Sequence, residues 1–164
     1  MNKQKTAFFD MDGTVIAPVF EYEGRTVTGL PKDKWIALCE QQQESTYKNC
    51  PVVQPTLKYA LDLTHSGWET KILTIALSKG EELAKQQWLS ENCRQRRFHE
   101  IIFVKTPDEK IKYILEYAKT NGLNPDDCLL VEDDLNTIFK ANEASIRTMH
   151  LSHIISAGYD AAKE

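Results

Sequence analysis

The segment Thr6-Ala7-Phe8-Phe9-Asp10 constrains the fold more than any other part of the chain. Its apolar residues are consecutive rather than alternating. A strand of that kind is covered on both faces, which is the situation of a central strand in a parallel sheet packed between helices. The remaining sequence follows the same plan, with strand-like runs alternating with segments of helical period. Further strands are expected at 70–75, 99–104, 128–131 and 145–149. Residues 15–30 are rich in β-branched and aromatic types, with turn signals at Glu23-Gly24 and Gly29. They read as a hairpin pairing 19–22 with 25–28.

Helices fill the intervals. One follows Pro31, with Trp35, Leu38 and Cys39 on one face. A second carries Val53, Leu57, Ala60, Leu61 and Thr64 at helical spacing and stops at Gly67. A third is expected at about 78–91, with Leu83, Trp88 and Leu89 available to the core. In a fourth, Ile111, Ile114, Leu115 and Ala118 form a clean stripe that Gly122 ends. Leu135, Ile138 and Phe139 begin a fifth, and the tail is a short helix or frayed. The expected fold class is α/β, a single domain over 1–164 with residues 15–52 as a hairpin flap and short helical insert.

Composition narrows the function classes. Asp and Glu number 24 against 20 Lys and Arg, for a net charge of -4. That balance argues against a general nucleic-acid or membrane-surface binder. No apolar run approaches the roughly 18 residues of a membrane span. The apolar stretch after Lys3 and Lys5 is cut by Asp10, so no signal peptide is expected. Cys39, Cys50, Cys93 and Cys128 stand far apart without a CxxC or zinc-type spacing. Reduced thiols in a cytoplasmic setting are the simplest expectation, with Cys128 in the core.

The chemistry concentrates at Asp10-Met11-Asp12-Gly13-Thr14. Two acids two residues apart at a strand end project to the same side, and Gly13 lets the chain turn sharply away. Such carboxylates repel, and both stay ionised only beside a cation, for which Mg²⁺ is the natural candidate. DxDG stretches also occur in solvated turns and calcium loops. This one runs straight from an apolar strand and lacks the rest of an EF-hand loop. In open parallel sheets ligands bind beyond the carboxyl ends of the strands. Asp10, Thr74 and Glu132-Asp133 all fall at such ends, so they are expected to converge on one crevice.

This first motif resembles that of the haloacid dehalogenase (HAD) superfamily, and three further motifs follow in the family's order. The resemblance implies a Rossmann-like core, with Asp10 as the nucleophile that becomes an aspartyl-phosphate and Asp12 as general acid and base. An Asp at the second position resembles the family's phosphatases more than its ion-pumping ATPases. Thr74, in Ile72-Leu73-Thr74, matches the residue that hydrogen-bonds the transferring phosphoryl group, with Ser78 as the competitor beyond the strand. The family's lysine matches Lys110, which opens the helix before the last acidic strand; Lys105, at the tip of the third strand, is the runner-up. Leu129-Leu130-Val131-Glu132-Asp133-Asp134 matches the acidic strand end that holds Mg²⁺. Asp133 is then the main ligand and Glu132 a water-mediated one, with Asp10 and the Asp12 backbone carbonyl completing the set. Asp134 either joins them or caps the next helix. Members with a GDxxxD pattern carry an acid four residues later, where this chain has Thr137.

Substrate choice in the superfamily is set by an inserted cap. Between Thr14 and Thr74 the chain has room for the hairpin, the Pro31 helix and a core helix, but not for a full helical cap. The hairpin is expected to cover a fairly open site. That suits a phosphorylated nucleotide, a nucleic-acid end or a phosphoprotein, or a small substrate enclosed by a second subunit. The run Ile72-Leu73-Thr74, the helix with Lys85 and Trp88-Leu89, and Ile101-Ile102-Phe103 loosely resemble the deoxyribonucleotidase branch. A Mg²⁺-dependent phosphomonoesterase is the leading reading. The second is a non-catalytic phosphate-binding module that keeps the fold, and the third a phosphotransferase or phosphonate-cleaving enzyme. Arg94-Gln95-Arg96-Arg97 is a basic cluster that fits a solvated loop or a nucleotide contact. His150 and His153 have HxxH spacing but no partners for a metal site. Trp35, Trp68 and Trp88 are expected in the core rather than as stacking platforms.

Overall fold

The computed structural model describes residues 4–93 and 98–161. The Arg94-Gln95-Arg96-Arg97 cluster lies outside the described residues. The chain runs β1 (Thr6–Phe9), β2 (Phe20–Tyr22), β3 (Arg25–Val27), α1 (Lys32–Gln42), α2 (Gln54–His65), β4 (Glu69–Ile75), α3 (Lys79–Asn92), β5 (Ile101–Val104), α4 (Pro107–Thr120), β6 (Cys128–Glu132), α5 (Leu135–Glu143), β7 (Arg147–His150) and α6 (Leu151–Ala161). Single 3₁₀ turns, too short to leave a periodic signal, sit at Gln43–Ser45 and Pro125–Asp127.

Five strands form one sheet in the order β5-β4-β1-β6-β7, and every pairing in it is parallel. The expected α/β class and parallel sheet are what the chain adopts. All four residues of β1 are buried. Ala7 and Phe9 face a cluster containing Leu57 and Ala60 of α2, Trp88 of α3 and Ile154 of α6. Phe8 faces the other side, against Ile111 and Ile114 of α4 and Ala141 of α5. Burying one such side chain stabilises the fold by about 1.5–3 kcal/mol, which is why the run is apolar at consecutive positions.

Three helices start directly after three strands and carry side-chain caps. Ser78 Oγ accepts from the Glu81 amide, Thr106 Oγ1 from the Glu109 amide and Asp134 Oδ2 from the Thr137 amide. The amino ends of α3, α4 and α5 therefore lie along the carboxyl edge of the sheet, where their dipoles favour negative charge.

The chain between β1 and α2 leaves and re-enters the core side by side. Ile16 bridges Val52 in antiparallel fashion, Ala17 N–H donates to the Pro51 carbonyl and Val53 N–H to that of Val15. Within this insert β2 and β3 pair as the expected hairpin, slightly shorter at its outer ends. Phe20, Trp35 and Tyr47 pack together with centroids 4.8–5.8 Å apart, Tyr47 edge-on to both and Phe20 tilted against Trp35. Trp88 Nε1 donates to the Cys50 carbonyl at 2.9 Å, tying the insert to α3.

The expectation for α3 is met in part: Trp88 is in the core and Leu89 packs half-buried against it, whereas Leu83 joins neither core cluster, and the buried face is Gly80, Glu81, Ala84, Lys85 and Trp88. Two charged residues take core positions because they pair with each other, and Lys85 also with Asp12. The tail forms α6, resolving the choice between a helix and a frayed end. Cys128 is fully buried, Trp88 is buried, and Trp35 and Trp68 pack partly buried against the core. No helix among the described residues is long and apolar enough to cross a membrane.

Candidate active site

Asp10 stands one residue beyond β1, and its N–H donates to the Val131 carbonyl, extending the pairing with β6. The Met11 carbonyl then accepts from the amides of Thr14, Val15 and Ile16, so the chain doubles back at once. Gly13 sits at φ +77°, and a Cβ there would stand 2.2 Å from Asp133 Oδ2. Glycine is required both for the turn and for the space Asp133 occupies.

Lys110 lies in the first turn of α4, with 2% of its surface exposed. Its ammonium donates to Asp10 Oδ1 at 2.8 Å and to Glu132 Oε2 at 2.7 Å. Glu132 Oε1 accepts from the amides of Asp133 and Asp134. Both oxygens of Glu132 thus have protein partners, whereas Asp133 is exposed at the mouth, with Thr14 Oγ1 at 3.5 Å from its Oδ1. One carboxylate oxygen from each of Asp10, Glu132 and Asp133 falls within 4.8 Å of the others.

Three carboxylates around one ammonium leave an excess of negative charge in a partly buried place. Burial pushes the Asp10 carboxyl up to about 7, against the pull of Lys110 and with Glu132 and Asp12 adding repulsion. Burial also raises Glu132 and Asp133, Lys110 working the other way. Clustered oxygen donors with unbalanced charge are what a hard divalent cation requires. Asp10 and Asp133 are the direct donors that fit; Glu132, already engaged, fits a water-mediated contact.

Asp12 is turned to a different partner. Its Oδ2 is 2.8 Å from the Lys85 ammonium, and it lies outside the Asp10–Glu132–Asp133 cluster. Asp12 Oδ1 and the Tyr47 hydroxyl are both buried without hydrogen-bond geometry to any described residue. Burial, then the nearby Asp12 charge, holds the Tyr47 phenol well above its ordinary value. Thr74, buried at the end of β4, accepts from Lys85 through Oγ1 at 3.0 Å.

The remaining candidates separate cleanly. Lys105 turns away, donating to the Ala76 carbonyl at 2.6 Å with Glu82 at 3.5 Å, so Lys110 is the lysine that meets Asp10. Ser78 and Asp134 cap helices. Thr137, standing where a further acid was absent, donates to Asp134 through both its amide and its hydroxyl. His150 Nε2 meets the Asp133 carbonyl and Nδ1 meets Ser152, while His153 is exposed, so the two histidines do not converge.

Asp10, Asp12, Thr74, Lys110, Glu132, Asp133 and their neighbours line a cleft of about 330 Å³. Asp12 also lines an adjoining cavity of about 180 Å³ with Pro18, Phe20, Thr28, Gly29, Leu30 and Trp35 of the insert. The flap therefore shapes the Asp12 side of the site rather than roofing Asp10. Sequence reasoning did not anticipate that Lys85 pairs with Asp12 and Glu81 or that Tyr47 is buried near Asp12. The available signal was that Glu81, Ala84, Lys85 and Trp88 share one helical stripe, the spacing of a core face.

No protein-family model matches this sequence, and no curated protein matches it significantly. Solved structures do. A haloacid dehalogenase-like hydrolase from Bacteroides fragilis is 15% identical with a TM-score of 0.61, over 89% of this chain and 86% of that one. A HAD-family enzyme variant from Bacteroides thetaiotaomicron, in complex with magnesium and inorganic phosphate, is 11% identical with a TM-score of 0.59, over 89% and 93%. A haloacid dehalogenase-like family hydrolase from Streptococcus pneumoniae is 19% identical with a TM-score of 0.55, over 90% and 84%. The sheet order, the helices at its carboxyl edge and these likenesses together give the chain the haloacid dehalogenase-like fold.

Proposed function

We propose that this protein is a Mg²⁺-dependent phosphatase that hydrolyses a phosphomonoester through a phosphoaspartyl intermediate on Asp10. The carrying observation is the buried Asp10–Lys110 pair beside Asp133, with Asp12 held separately on Lys85. The structural neighbour from B. thetaiotaomicron, in complex with magnesium and inorganic phosphate, supports the same reading. Mg²⁺, held by Asp10, Asp133, the Asp12 backbone carbonyl and a Glu132-bound water, would supply charge neutralisation to the phosphate oxygens.

The chain's own residues supply the rest. Lys110 offsets the charge of Asp10 and of a phosphoryl oxygen approaching it. An Asp10 carboxylate oxygen forms a bond to phosphorus as the bond to the ester oxygen breaks, and Asp12 gives that oxygen its proton. Asp12 then takes a proton from water, whose oxygen attacks phosphorus. The Asp10–phosphorus bond breaks, releasing phosphate and restoring the carboxylate. General acid–base help of this type contributes roughly 10²–10⁴-fold. Thr74, whose oxygen accepts from Lys85, keeps its own hydroxyl proton for a phosphoryl oxygen.

The substrate class is a phosphorylated nucleotide, nucleic-acid end or other phosphomonoester whose leaving group lies toward the insert cavity beside Asp12. A panel of p-nitrophenyl phosphate, nucleotides, sugar phosphates and 3′- or 5′-phosphorylated oligonucleotides tests this with Mg²⁺ and with EDTA. Turnover should require Mg²⁺ and vanish in Asp10→Asn, and acid quenching should trap phosphate on the wild-type protein. Full activity of Asp10→Asn refutes the mechanism. Mg²⁺ binding without turnover across the panel refutes it in favour of a phosphate-binding module.

A further inference from the structure

Lys85 is the most completely enclosed cation among the described residues. It has no exposed surface, yet sits on a helix whose other lysine, Lys79, points to solvent. Four acceptors surround its ammonium: Asp12 Oδ2 at 2.8 Å, Glu81 Oε1 at 2.9 Å, Thr74 Oγ1 at 3.0 Å and the Ile75 carbonyl. Burial opposes the charge, but Asp12 and Glu81 outweigh it and hold Lys85 above the ordinary lysine value. Glu81 is itself fixed, since its Oε2 accepts from the Leu77 amide at 2.8 Å.

An ammonium has three protons. With four acceptors in reach, one of them can leave without stranding an unpaired buried donor. Glu81, Thr74 and the Ile75 carbonyl are built into the fold and buried or nearly so; Asp12 is the acceptor with an exposed flank, 38% open at its side chain. Asp12 is therefore the acceptor that can turn from Lys85 toward the cleft while the other three keep the ammonium paired.

We propose that Lys85 is a positioning residue for the hydrolytic reaction, aligning Asp12 and the Thr74 hydroxyl on a single buried ammonium anchored by Glu81. This rests on the phosphatase reading above and adds a residue to it. Lys85 touches neither substrate nor nucleophile. It fixes where Asp12 sits before and after each proton transfer, and it directs the Thr74 oxygen lone pair so that the hydroxyl proton faces the cleft. A misplacement of about 1 Å in such a group costs on the order of 10²-fold in rate.

The test is a pair of variants. Lys85→Met removes the charge at similar length but leaves Glu81 buried and unpaired, so it is expected to melt lower. Adding Glu81→Gln removes that stranded charge and keeps an acceptor for the Leu77 amide, so the double variant should regain most of the lost melting temperature. Both variants should lose kcat on p-nitrophenyl phosphate by about 10²-fold, with KM falling alongside it so that kcat/KM, which reports phosphoryl transfer to Asp10, changes by less than about threefold. Acid-quenched samples should hold more phosphoenzyme than wild type, because nitrophenolate departs without help while water still needs Asp12. Recovery of kcat together with melting temperature in the double variant shows a purely structural role and overturns the assignment. So does a kcat loss without phosphoenzyme build-up. Wild-type protein that turns over no phosphomonoester overturns the phosphatase reading, and Lys85's role falls with it.

Discussion

Gly13→Ala is the sharpest single perturbation of the acidic cluster proposed to hold Mg²⁺. The new Cβ would stand 2.2 Å from Asp133 Oδ2 and 2.8 Å from its Cγ, where real contacts essentially never fall below 3.0 Å. Asp133 must move by about 1 Å or rotate away, and a metal ligand set tolerates only about 0.2 Å. The carboxylate is exposed, so it can swing into water at small cost. The backbone at φ +77° adds a left-handed penalty of about 1–2 kcal/mol for a residue with a side chain. The metal-free variant should therefore melt roughly 2–8 °C below wild type for a chain of this size. Mg²⁺ at ten times its Kd should stabilise the wild type by about 1.4 kcal/mol. That is an upward shift of roughly 3–6 °C. In Gly13→Ala the shift should be absent. Thermal melts of both proteins with and without Mg²⁺ read the four values directly. A variant that destabilises as expected but keeps the full Mg²⁺ shift refutes the claim that Asp133 holds the ion.

Two further perturbations address the charges on either side of the sheet. Lys110→Met strands the carboxylates of Asp10 and Glu132, both buried; urea unfolding should show a loss of about 3–5 kcal/mol, and turnover should be lost even where the variant is folded. At the opposite edge of the sheet, Glu69 accepts from Tyr117 Oη at 2.8 Å and pairs with Lys71. Burial works to raise this carboxyl, but the Tyr117 and Lys71 hydrogen bonds outweigh it and hold it below its ordinary 4.5. A depressed folded-state value contributes stability above pH 4.5 that fades as the pH falls through the lowered value. Tyr117→Phe should thus cost about 1 kcal/mol at pH 7 and less below pH 4. Urea titrations at the two pH values check it, and a gap that widens on acidification contradicts the sign.

The elements that carry the site were legible where the chemistry is written into consecutive residues. Phe8-Phe9-Asp10 and Leu130-Val131-Glu132-Asp133 each show an apolar strand ending in acids, and a parallel sheet brings such ends together without further information. Lys110 was legible because it precedes Ile111 and Ile114 on a clean stripe. Lys85 was hidden by the ordinary behaviour of its neighbours: Glu81 and Lys85 are four apart on a helix, the spacing of a solvated surface pair. Only their sharing a face with Ala84 and Trp88 distinguishes them, and a single sequence does not say which face turns inward. Tyr47 sits in a stretch without period, and its burial depends on Phe20 and Trp35 arriving from the hairpin and α1. The choice between Lys105 and Lys110 turned on which strand tip each faces, a matter of tertiary geometry.

The side-by-side departure and return of the insert makes it an exchangeable module. Ile16 and Val52 are bridged, so the sheet experiences the whole of residues 17–51 as a loop whose ends are already closed. Replacing a loop closed in this way by one of different length changes the closure entropy only slowly, by about 0.6 kcal/mol per doubling. What a replacement must reproduce is apolar cover: Phe20, Leu38, Cys39 and Tyr47 are buried, and α1 lies so close to α3 that a Cβ on Gly80 would meet the Cys39 carbonyl at 2.4 Å. A graft that offers α3 a comparable greasy underside, joined at Ile16 and Val52, can recast the shape beside Asp12 while leaving Asp10, Lys110, Glu132 and Asp133 untouched.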